Sequence, residues 1–471
     1  MSVPAMQSDV ATRHDLMEQL ALARRRTDEL FAIVKPDSLY ERPIGERHRV
    51  VFYIGHLEAF DWNLFRGRVF DVKSFHPDFD RLFAFGIDPV GGGLPNDQPS
   101  DWPSITAVRE YVDRVRNILD DELASALAGS LAGLGDRIFD GFPLSTLINV
   151  AIEHRLMHAE TLAYMFHQLP LDRKIFQRES LNLAASSSPS HRSIEIPAGS
   201  ITLGLPRCSG LFGWDNEFEA HTVDVPGLAI DRYKVTNRQY LDFMEAGGYE
   251  NCEFWIHNGD DQDWTWKSQQ EIQHPAFWKR DGEQWLYRTM FEEISFEEIS
   301  LAPDWPVYVS HAEAQAYARW AQKRLPSEAE WQRAAYATPS GEEQHYPWGN
   351  KAPSANLGNF DFVNWSPTPV NAYPHNQSAF GVHDMLGNGW EWTSTKFASF
   401  PGFEPFPFYR GYSADFFDGR HFVMKGGSSR TAACMLRRSF RNWFQPHYQY
   451  MYAGFRCVSR SSSGNESSTD N

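Results

Sequence analysis

Residues 144–169 of this 471-residue chain read LSTLINVAIEHRLMHAETLAYMFHQL and are followed directly by Pro170. Apolar side chains recur through the stretch with the spacing of a helix that packs against a core. Proline cannot continue a helix, so we expect this one to end at Leu169. Two further stretches have a helical apolar face, formed by Leu16, Leu20, Ala23 and Leu30, and by Val108, Val112, Val115 and Leu119. Antiparallel helices joined by loops predict a bundle of the four-helix type over residues 11–180.

The same stretch contains two histidines, His154 and His158. Side chains four residues apart lie on one face of a helix, which is the spacing that two imidazoles need to bind one metal ion. A third imidazole must come from another helix, and His56 lies in an apolar helical setting where a polar ring needs a partner. Glu160 is a candidate outer or substitute ligand. Because the chain has 17 histidines, the spacing alone leaves both a metal site and a chance pair open.

The composition of the chain changes after the predicted bundle. Residues 184–191, AASSSPSH, are small and polar and include a proline, so we expect an interdomain linker over residues 181–193. From there to Cys457, glycine, proline, asparagine and tryptophan recur every few residues. We therefore predict a second domain with little regular secondary structure over residues 194–459, and a disordered polar tail over residues 460–471.

Two regular elements are predicted within the second domain. Residues 194–204 alternate as a short strand does, and turn residues break the alternation. Residues 310–323 predict a helix with Ser310 as its N-cap. With the bundle before it, this domain makes the chain an α+β protein.

Bulk composition excludes several classes of protein. The formal net charge is -17, which disfavours nucleic acid as a partner, since phosphate binding needs a basic face. No run of apolar residues is long enough to span a membrane, and the first residues lack the apolar core of a signal peptide. The four cysteines are widely spaced without a CxxC pair, so we expect buried or inert thiols and a cytoplasmic location.

Six motifs follow one another in the second domain. They are DRYKVTNRQY at 231–240, RLPSEAEW at 324–331, YPWGN at 346–350, DMLGNGWEWT at 384–393, KGGS at 425–428 and AGFRC at 453–457. Together they resemble the formylglycine-generating-enzyme (sulfatase-modifying-factor) family, which implies a C-type-lectin-like fold. Three tryptophans of these motifs, Trp331, Trp348 and Trp392, are expected to be core rings.

The resemblance has limits within the second domain. The founding activity of that fold uses two cysteines close together near the C-terminus, whereas here Cys434 and Cys457 are far apart in the chain. Formylglycine generation is therefore disfavoured. Related domains carry calcium, so calcium can be accommodated, but no acidic cluster in the sequence requires it.

The bundle with its three histidines resembles the DinB type, in which helix-borne histidines hold a divalent metal. Fused to the second domain, it resembles the ergothioneine and ovothiol sulfoxide synthases and the selenoneine synthases, over nearly the whole chain. The resemblance implies a non-haem iron(II) enzyme in which His56, His154 and His158 hold the iron, with dioxygen and hercynine as substrates. Residues 46–63, ERHRVVFYIGHLEAFDWN, are most similar to the selenoneine branch, which implies formation of a carbon–selenium bond.

The resemblance also assigns substrate-binding residues. Asn442 and Trp443 fall where the family contacts hercynine, and a tryptophan face suits its quaternary ammonium group. Phe444 and Tyr448 stand where enzymes that use γ-glutamylcysteine have an acidic residue and an arginine. Such aromatic residues cannot form charge-assisted pairs with an amino-acid donor, so they favour a neutral selenosugar such as selenoglucose.

Two phenylalanines, Phe397 and Phe400, stand where the sulfoxide synthases tend to have a tyrosine that donates a proton. A phenyl ring has no proton to donate, so any protonation must come from another group or from water. The catalytic residues are therefore unknown from the sequence, and the substrate site is expected between the two domains.

Two alternatives to a carbon–selenium bond remain. The first is a sulfoxide synthase that forms a carbon–sulfur bond with cysteine or γ-glutamylcysteine. The second is a non-catalytic binding module, because C-type-lectin-like domains often only bind ligands. Metal content and the product formed from each donor distinguish these hypotheses.

Overall fold

A computed structural model of the protein describes residues 4–84, 96–128, 138–178, 189–296 and 302–461. The chain forms two compact units, Met1–Gln177 and Arg178–Asn471. Most of the expected linker over residues 181–193 and most of the expected disordered tail over residues 460–471 lie outside the described residues.

In its described part, the first unit is a bundle of four long helices and one short helix. These are α1 Pro4–Phe31, α2 Val50–Phe65, α3 Pro77–Leu82, α4 Ile105–Ala128 and α5 Leu144–Gln168. Helix α5 packs against α1 and α2, and α2 also packs against α4. The apolar faces predicted for α1 and α4 are buried. The helical bundle predicted from the sequence is therefore confirmed.

A short hairpin determines where α5 begins. Strand β1 (Ile138–Phe139) pairs antiparallel with β2 (Phe142–Pro143), and α5 starts at the next residue. Asp140 and Gly141 form the turn with φ values of 51° and 88°. These left-handed values match the right-handed twist of a two-residue hairpin, and glycine adopts them without strain.

The C-terminus of α5 lies one residue before the predicted end. Leu169 has φ -62° and ψ 144°, an extended conformation. The ring of the following proline, Pro170, disfavours the helical conformation of the residue before it. Pro170 therefore correctly indicated that the helix ends here, but the last helical residue is Gln168 and not Leu169.

In the residues that the structure describes, the second unit has short strands in four small sheets. The strands are β3 Ser193–Ile196, β4 Gly199–Leu203, β5 His221–Val225, β6 Leu228–Asp231, β7 Trp278–Asp281, β8 Gln284–Arg288, β9 Glu293–Ser295, β10 Trp390–Lys396, β11 Phe422–Lys425, β12 Asn442–Phe444, β13 Ala453–Gly454 and β14 Val458–Arg460. The sheet orders are β12-β11-β10-β13, β14-β6-β3, β4-β5 and β7-β8-β9. Strands this short, joined by long irregular segments, confirm the predicted α+β domain with little regular structure.

Short helices lie between these strands. They are α6 Asn237–Glu245, α7 Gln262–Gln269, α8 His311–Trp320 and α9 Glu328–Tyr336. Ser310 caps α8 as predicted, with its hydroxyl accepting from the backbone N–H of Glu313. The predicted end at Lys323 is wrong, because Gln322 adopts a left-handed φ of 55° and the Lys323 N–H bonds back to the carbonyl of Ala318, which terminates a helix.

Aromatic rings fill the centre of the second unit. Trp331 and Trp392 are fully buried, as expected for core rings. Trp348 is half-buried and packs against the edge of the same core. In the part of the chain that the structure describes, no helix has both the length and the apolar character needed to cross a bilayer.

The cysteines are free thiols in differing surroundings. Cys457 is buried and Cys252 is half-buried, whereas Cys208 and Cys434 are exposed. Of the expected buried or inert thiols, Cys457 is therefore buried, whereas Cys208 and Cys434 lie on short turns at the surface.

Candidate functional site

Three buried histidines meet inside the bundle. His56 lies on α2, and His154 and His158 lie one turn apart on α5. The Nε2 atom of His158 lies 3.2 Å from Nε2 of His56 and 3.1 Å from Nε2 of His154. Among the described residues, these three form the one group of possible metal ligands whose ligand atoms all lie within 4.8 Å of one another. Glu160 is buried nearby on α5 but is not part of this group.

Two of the distances between these three nitrogens have the values expected for ligands of one metal ion. Two nitrogens that are each about 2.1 Å from an ion, at angles of about 90–110°, lie about 3.0–3.4 Å from each other. The distances of 3.1 and 3.2 Å lie within that range. Three ligands of this kind on two helices leave the remaining coordination positions of an ion free for other molecules.

The orientation of His56 is fixed by a hydrogen bond to α3. Its Nδ1 atom lies 2.7 Å from the carbonyl oxygen of Phe83. A carbonyl can only accept, so Nδ1 carries the proton and Nε2 keeps its lone pair for a metal. The preceding Gly55 permits this approach, because a Cβ there would lie 2.6 Å from the Phe83 ring.

Burial keeps all three imidazoles neutral. Desolvation lowers the pKa of His56 to about 4, although its bond to the Phe83 carbonyl acts in the opposite direction. Desolvation also lowers the pKa of His154 and of His158, and the neighbouring histidines lower both further. Because a neutral imidazole is the form that binds metal, the set is ready for a cation at neutral pH.

Aromatic rings hold the imidazole planes in position. The ring of Phe60 is stacked on His154 with 3.4 Å between centroids and 11° between planes. Phe52 is stacked on His56 at 4.9 Å and 19°. Both phenylalanines belong to α2, so the helix that supplies one ligand also restricts the ring of another.

A buried ionic cluster lies beside the histidines and was not predicted from the sequence. The guanidinium group of Arg155 donates to Glu58 and to Asp61, which both lie on α2. The available signal was the presence of three charged residues within otherwise apolar helical stretches. Such residues are rarely buried unless they are paired.

In the second unit, β12 places its predicted substrate-binding residues on opposite faces. Side chains alternate along a strand, so Trp443 points away from Asn442 and Phe444. The ring of Phe397 is stacked on Trp443 with 4.1 Å between centroids and 6° between planes. Asn442 uses its side-chain oxygen to accept from the backbone N–H of the next residue.

The Trp443 ring has further aromatic neighbours. Tyr412 meets it edge-on at 5.4 Å, and Phe416 is tilted against it at 5.7 Å. Neither ring was predicted, because both lie in an irregular segment far from Trp443 in sequence. Together with Phe397 they surround a half-buried indole on several sides.

The other predicted residues form a second aromatic group. Phe444 and Tyr448 are stacked at 5.0 Å and 21°, and Tyr450 meets Tyr448 edge-on at 5.3 Å. All three are half-buried. Phe444 and Tyr448 are therefore brought together by the structure, on the face of β12 opposite to Trp443.

Phe397 and Phe400 share a cationic neighbour. The guanidinium carbon of Arg441 lies 4.9 Å from the ring centre of Phe397 and 4.0 Å from that of Phe400. Arg441 is itself held by two hydrogen bonds to Glu328. Both phenylalanines are buried, which agrees with packing residues rather than proton donors.

Comparison with protein families covers both units. The family of the sulfatase-modifying factor enzyme 1-like domain matches residues 180–461, and the DinB superfamily matches residues 19–162. The fold and the histidine site thus define a DinB bundle joined to a sulfatase-modifying factor domain.

Individual relatives narrow this class. A hercynine oxygenase from Mycolicibacterium smegmatis is 40% identical over 94% of this chain and 98% of its own length. Ergothioneine biosynthesis protein 1 from Neurospora crassa is 27% identical over 90% of this chain and 55% of its own length. Formylglycine-generating enzyme from Mycobacterium tuberculosis is 30% identical but matches 58% of this chain. The chain belongs to the hercynine oxygenase family.

Proposed function

We propose that the protein is an iron(II) enzyme that uses dioxygen to join selenium from a selenosugar to the imidazole of hercynine. The observation that carries this proposal is the convergence of three neutral, buried imidazole nitrogens at 3.1 and 3.2 Å. A relative of almost equal length is named a hercynine oxygenase, which supports hercynine as the substrate.

In this proposal His56, His154 and His158 bind the iron. An iron(II) ion held by these residues would supply open coordination positions for dioxygen and for the selenolate of the donor. The three neutral ligands leave its positive charge uncompensated, which favours an anionic donor. Stacking by Phe52 and Phe60 keeps the ligand rings oriented and water away from them.

Trp443 would bind the trimethylammonium group of hercynine. A quaternary ammonium has no N–H to donate, so it is recognised by aromatic faces. Tyr412 and Phe416 extend the aromatic surface around Trp443. Phe397 is stacked on the indole at 4.1 Å and would hold it in position without donating a proton.

Phe444, Tyr448 and Tyr450 would form the donor-binding surface on the other face of β12, which is the face of Asn442. Asn442 would contact the part of hercynine that reacts with the donor. The three rings present apolar faces and two hydroxyl groups, which suit the C–H faces and hydroxyls of a sugar. None of the three is charged, so they offer no partner to the carboxylates and ammonium of γ-glutamylcysteine. This chemistry supports a selenosugar donor whose sugar part is uncharged and whose selenium binds as a selenolate.

A second candidate is a sulfoxide synthase that uses cysteine or γ-glutamylcysteine. The names of the relatives favour it, since one is an ergothioneine biosynthesis protein. The same iron site would serve, and the bond formed would be carbon–sulfur. The two candidates differ only in the donor.

The test is a donor comparison in full-length protein reconstituted with iron(II) without oxygen. Oxygen, hercynine and either selenoglucose or γ-glutamylcysteine are then added, and products are identified by mass spectrometry. We expect the main product to be hercynine that carries the selenosugar on its imidazole. The C–Se bond replaces the imidazole C–H and the selenol Se–H bonds, and dioxygen accepts the electrons and protons released. A sulfoxide from the thiol alone would favour the second candidate, and the absence of both products would contradict the reaction class.

A paired variant sharpens this test. Phe444→Asp combined with Tyr448→Arg should raise the use of γ-glutamylcysteine relative to selenoglucose by about 10-fold or more, since a hydrogen bond to a charged group contributes about 1.5–3 kcal/mol. Phe444→Tyr, which keeps a neutral ring, is the matched control. An unchanged donor ratio in the paired variant would contradict the assignment of these residues.

A further inference from the structure

The cluster around Arg155 joins the two helices that carry the histidines. Arg155 is fully buried on α5, immediately after His154. Its guanidinium nitrogens lie 2.9 Å from both carboxylate oxygens of Glu58 and 2.7 Å from Oδ2 of Asp61. It also donates to the backbone carbonyl of Leu57 at 3.1 Å. All these acceptors lie on α2.

The acceptors lie at the same level of α2 as the metal ligand. Glu58 and Leu57 are within two residues of His56, which is about 3 Å or less along the helix axis. The bonds therefore hold α5 at the level of His154 against α2 at the level of His56. Because guanidinium and carboxylate groups are planar and directional, they fix this register more tightly than apolar contacts do.

The cluster extends to the other two long helices. Arg116 on α4 donates to Glu58 at 2.8 Å and to both carboxylate oxygens of Asp28 on α1 at 2.8 Å. Glu58 thus links α2 directly to α4 and α5, and Arg116 extends the cluster to α1. The carboxylate of Glu58 is the centre of the cluster.

Stability alone does not explain a buried cluster of this kind. Replacing buried ion pairs with apolar residues of similar volume is often neutral or stabilising, because both ions lose their hydration. A metal site has a stricter requirement, since ligands from two helices must converge within tenths of an ångström. An arrangement that fixes helix register meets that requirement.

We propose that Arg155, acting through Glu58 and Asp61, is a positioning residue that sets the distance of His56 from His154 and His158. This inference rests on the proposed metal site, but it does not depend on the donor or on the reaction. Arg155 does not bind the metal itself. Its loss should weaken metal binding more than it weakens the fold.

The test uses full-length protein with cobalt(II) as the metal. Cobalt(II) reports both affinity, by chelator competition, and coordination geometry, by its visible spectrum. The variant combines Glu58→Met, Asp61→Leu and Arg155→Met, which removes the ions and keeps the volume. We expect a similar unfolding temperature without metal, cobalt affinity lower by about 10- to 100-fold, and an altered spectrum.

Arg155→Lys provides a second variant if the triple substitution prevents folding. Lysine keeps the charge but loses the planar group that bonds two carboxylates at once. We expect this variant to fold and to bind cobalt more weakly than the wild type. Wild-type affinity and spectrum in either folded variant would overturn the proposal.

A matched control lies in the second unit. Arg456 and Glu391 form a buried, two-bonded pair there, and Arg456→Met with Glu391→Met should leave cobalt affinity unchanged. His154→Ala distinguishes failure of the metal site itself. If the wild type binds cobalt no better than His154→Ala, then the proposed metal site is wrong, whatever the effect of Arg155.

Discussion

Each unit contains a buried polar cluster, and the two clusters differ in whether they include a positively charged side chain. In the bundle, the Nε2 atoms of three neutral imidazoles lie close together, and that of His158 is 3.1 Å from His154 and 3.2 Å from His56. In the second unit, oxygens surround the ammonium group of Lys234. It donates to the carbonyls of Asp384 and of Gly387, the latter at 3.1 Å, and lies 3.6 Å from Oε1 of Glu391.

The cluster in the second unit therefore includes the cation that its oxygens bind, whereas the cluster in the bundle is a set of possible metal ligands. Lys234 is fully buried, and its charge is balanced by two carboxylates that Arg456 helps to neutralise. The histidines are also buried, but they are neutral and hold no charge of their own. The oxygen cluster thus contains its own cation, whereas the nitrogen cluster consists of neutral groups that can act as metal ligands.

The pKa values of Asp384 and Glu391 reflect both their burial and the neighbouring cations. Burial raises the pKa of Asp384 to about 6, although Lys234 opposes this change. Burial also acts to raise the pKa of Glu391, but Arg456 and Lys234 outweigh it and lower the value.

The largest expected effect is loss of the metal site on removal of one ligand. His154→Ala should reduce metal affinity by more than about 100-fold, because loss of an outer hydrogen-bond partner alone reduces it by about 10- to 100-fold. Metal content after dialysis and chelator competition measure this effect. His167→Ala is the matched control, since His167 is buried on the same helix outside the ligand group. Equal metal content in both variants would contradict the assignment of His154 as a metal ligand.

Substitution of the lysine should affect stability instead. Lys234→Met leaves buried carboxylates without their ammonium partner, so the free energy of unfolding should fall by about 3–5 kcal/mol. Denaturant unfolding followed by tryptophan fluorescence measures the change, because the second unit holds many buried tryptophans. Cobalt affinity of the folded protein should not change. A stability equal to that of the wild type would mean that the oxygen cluster does not depend on its cation.

The pH dependence of the metal-free bundle should follow from the histidines. His56 has a pKa of about 4 when folded and about 6.5 when unfolded. Below pH 6.5 the unfolded chain binds a proton that the folded chain does not, so stability falls as the pH decreases from 6.5 through 4. The loss from this residue is about 3 kcal/mol over that interval.

Urea unfolding followed by far-UV circular dichroism, at several pH values in chelator, measures this loss. His56→Leu should reduce the pH slope by about 1.4 kcal/mol per unit at most. Saturating metal should stabilise the bundle at neutral pH, and this added stability should fall as the pH decreases, because protons compete for the same nitrogens. A slope that is the same in the variant would show that this imidazole is already protonated when folded.

Local patterns explain why part of the molecule could be predicted. The period of α5 gave the position of two ligands one turn apart, because helix geometry alone fixes that relation. Ser310 identified the start of α8 because a cap acts within one turn. The end of α8 was missed because the left-handed residue that ends it is Gln322, which carries no such signal.

Contacts between distant residues could not be predicted in the same way. Arg155 and Glu58 are separated by 97 positions, and nothing in either local sequence identifies the other as its partner. Tyr412 approaches Trp443 from an irregular segment, where periodicity gives no direction. In the histidine set, spacing identified only two ligands. His56 was a candidate because of its apolar helical setting, and the resemblance then assigned it to the same metal.

The smallest expected effect is on the binding of hercynine at Trp443. There a cation would be held by aromatic faces, and not by nitrogen or oxygen atoms. Lys234 has N–H groups and is held by oxygens, whereas a trimethylammonium group has none and should depend on the indole. Trp443→Leu should therefore raise the KM for hercynine by about 10-fold, as expected for a cation–π contribution of about 1–2 kcal/mol. Trp443→Phe should raise it less. Histidine, which lacks the methyl groups, is the matched ligand, and its weaker inhibition should change little. If hercynine and histidine lost affinity equally, Trp443 would act as a packing residue beneath Phe397 and not as the surface that recognises the cation.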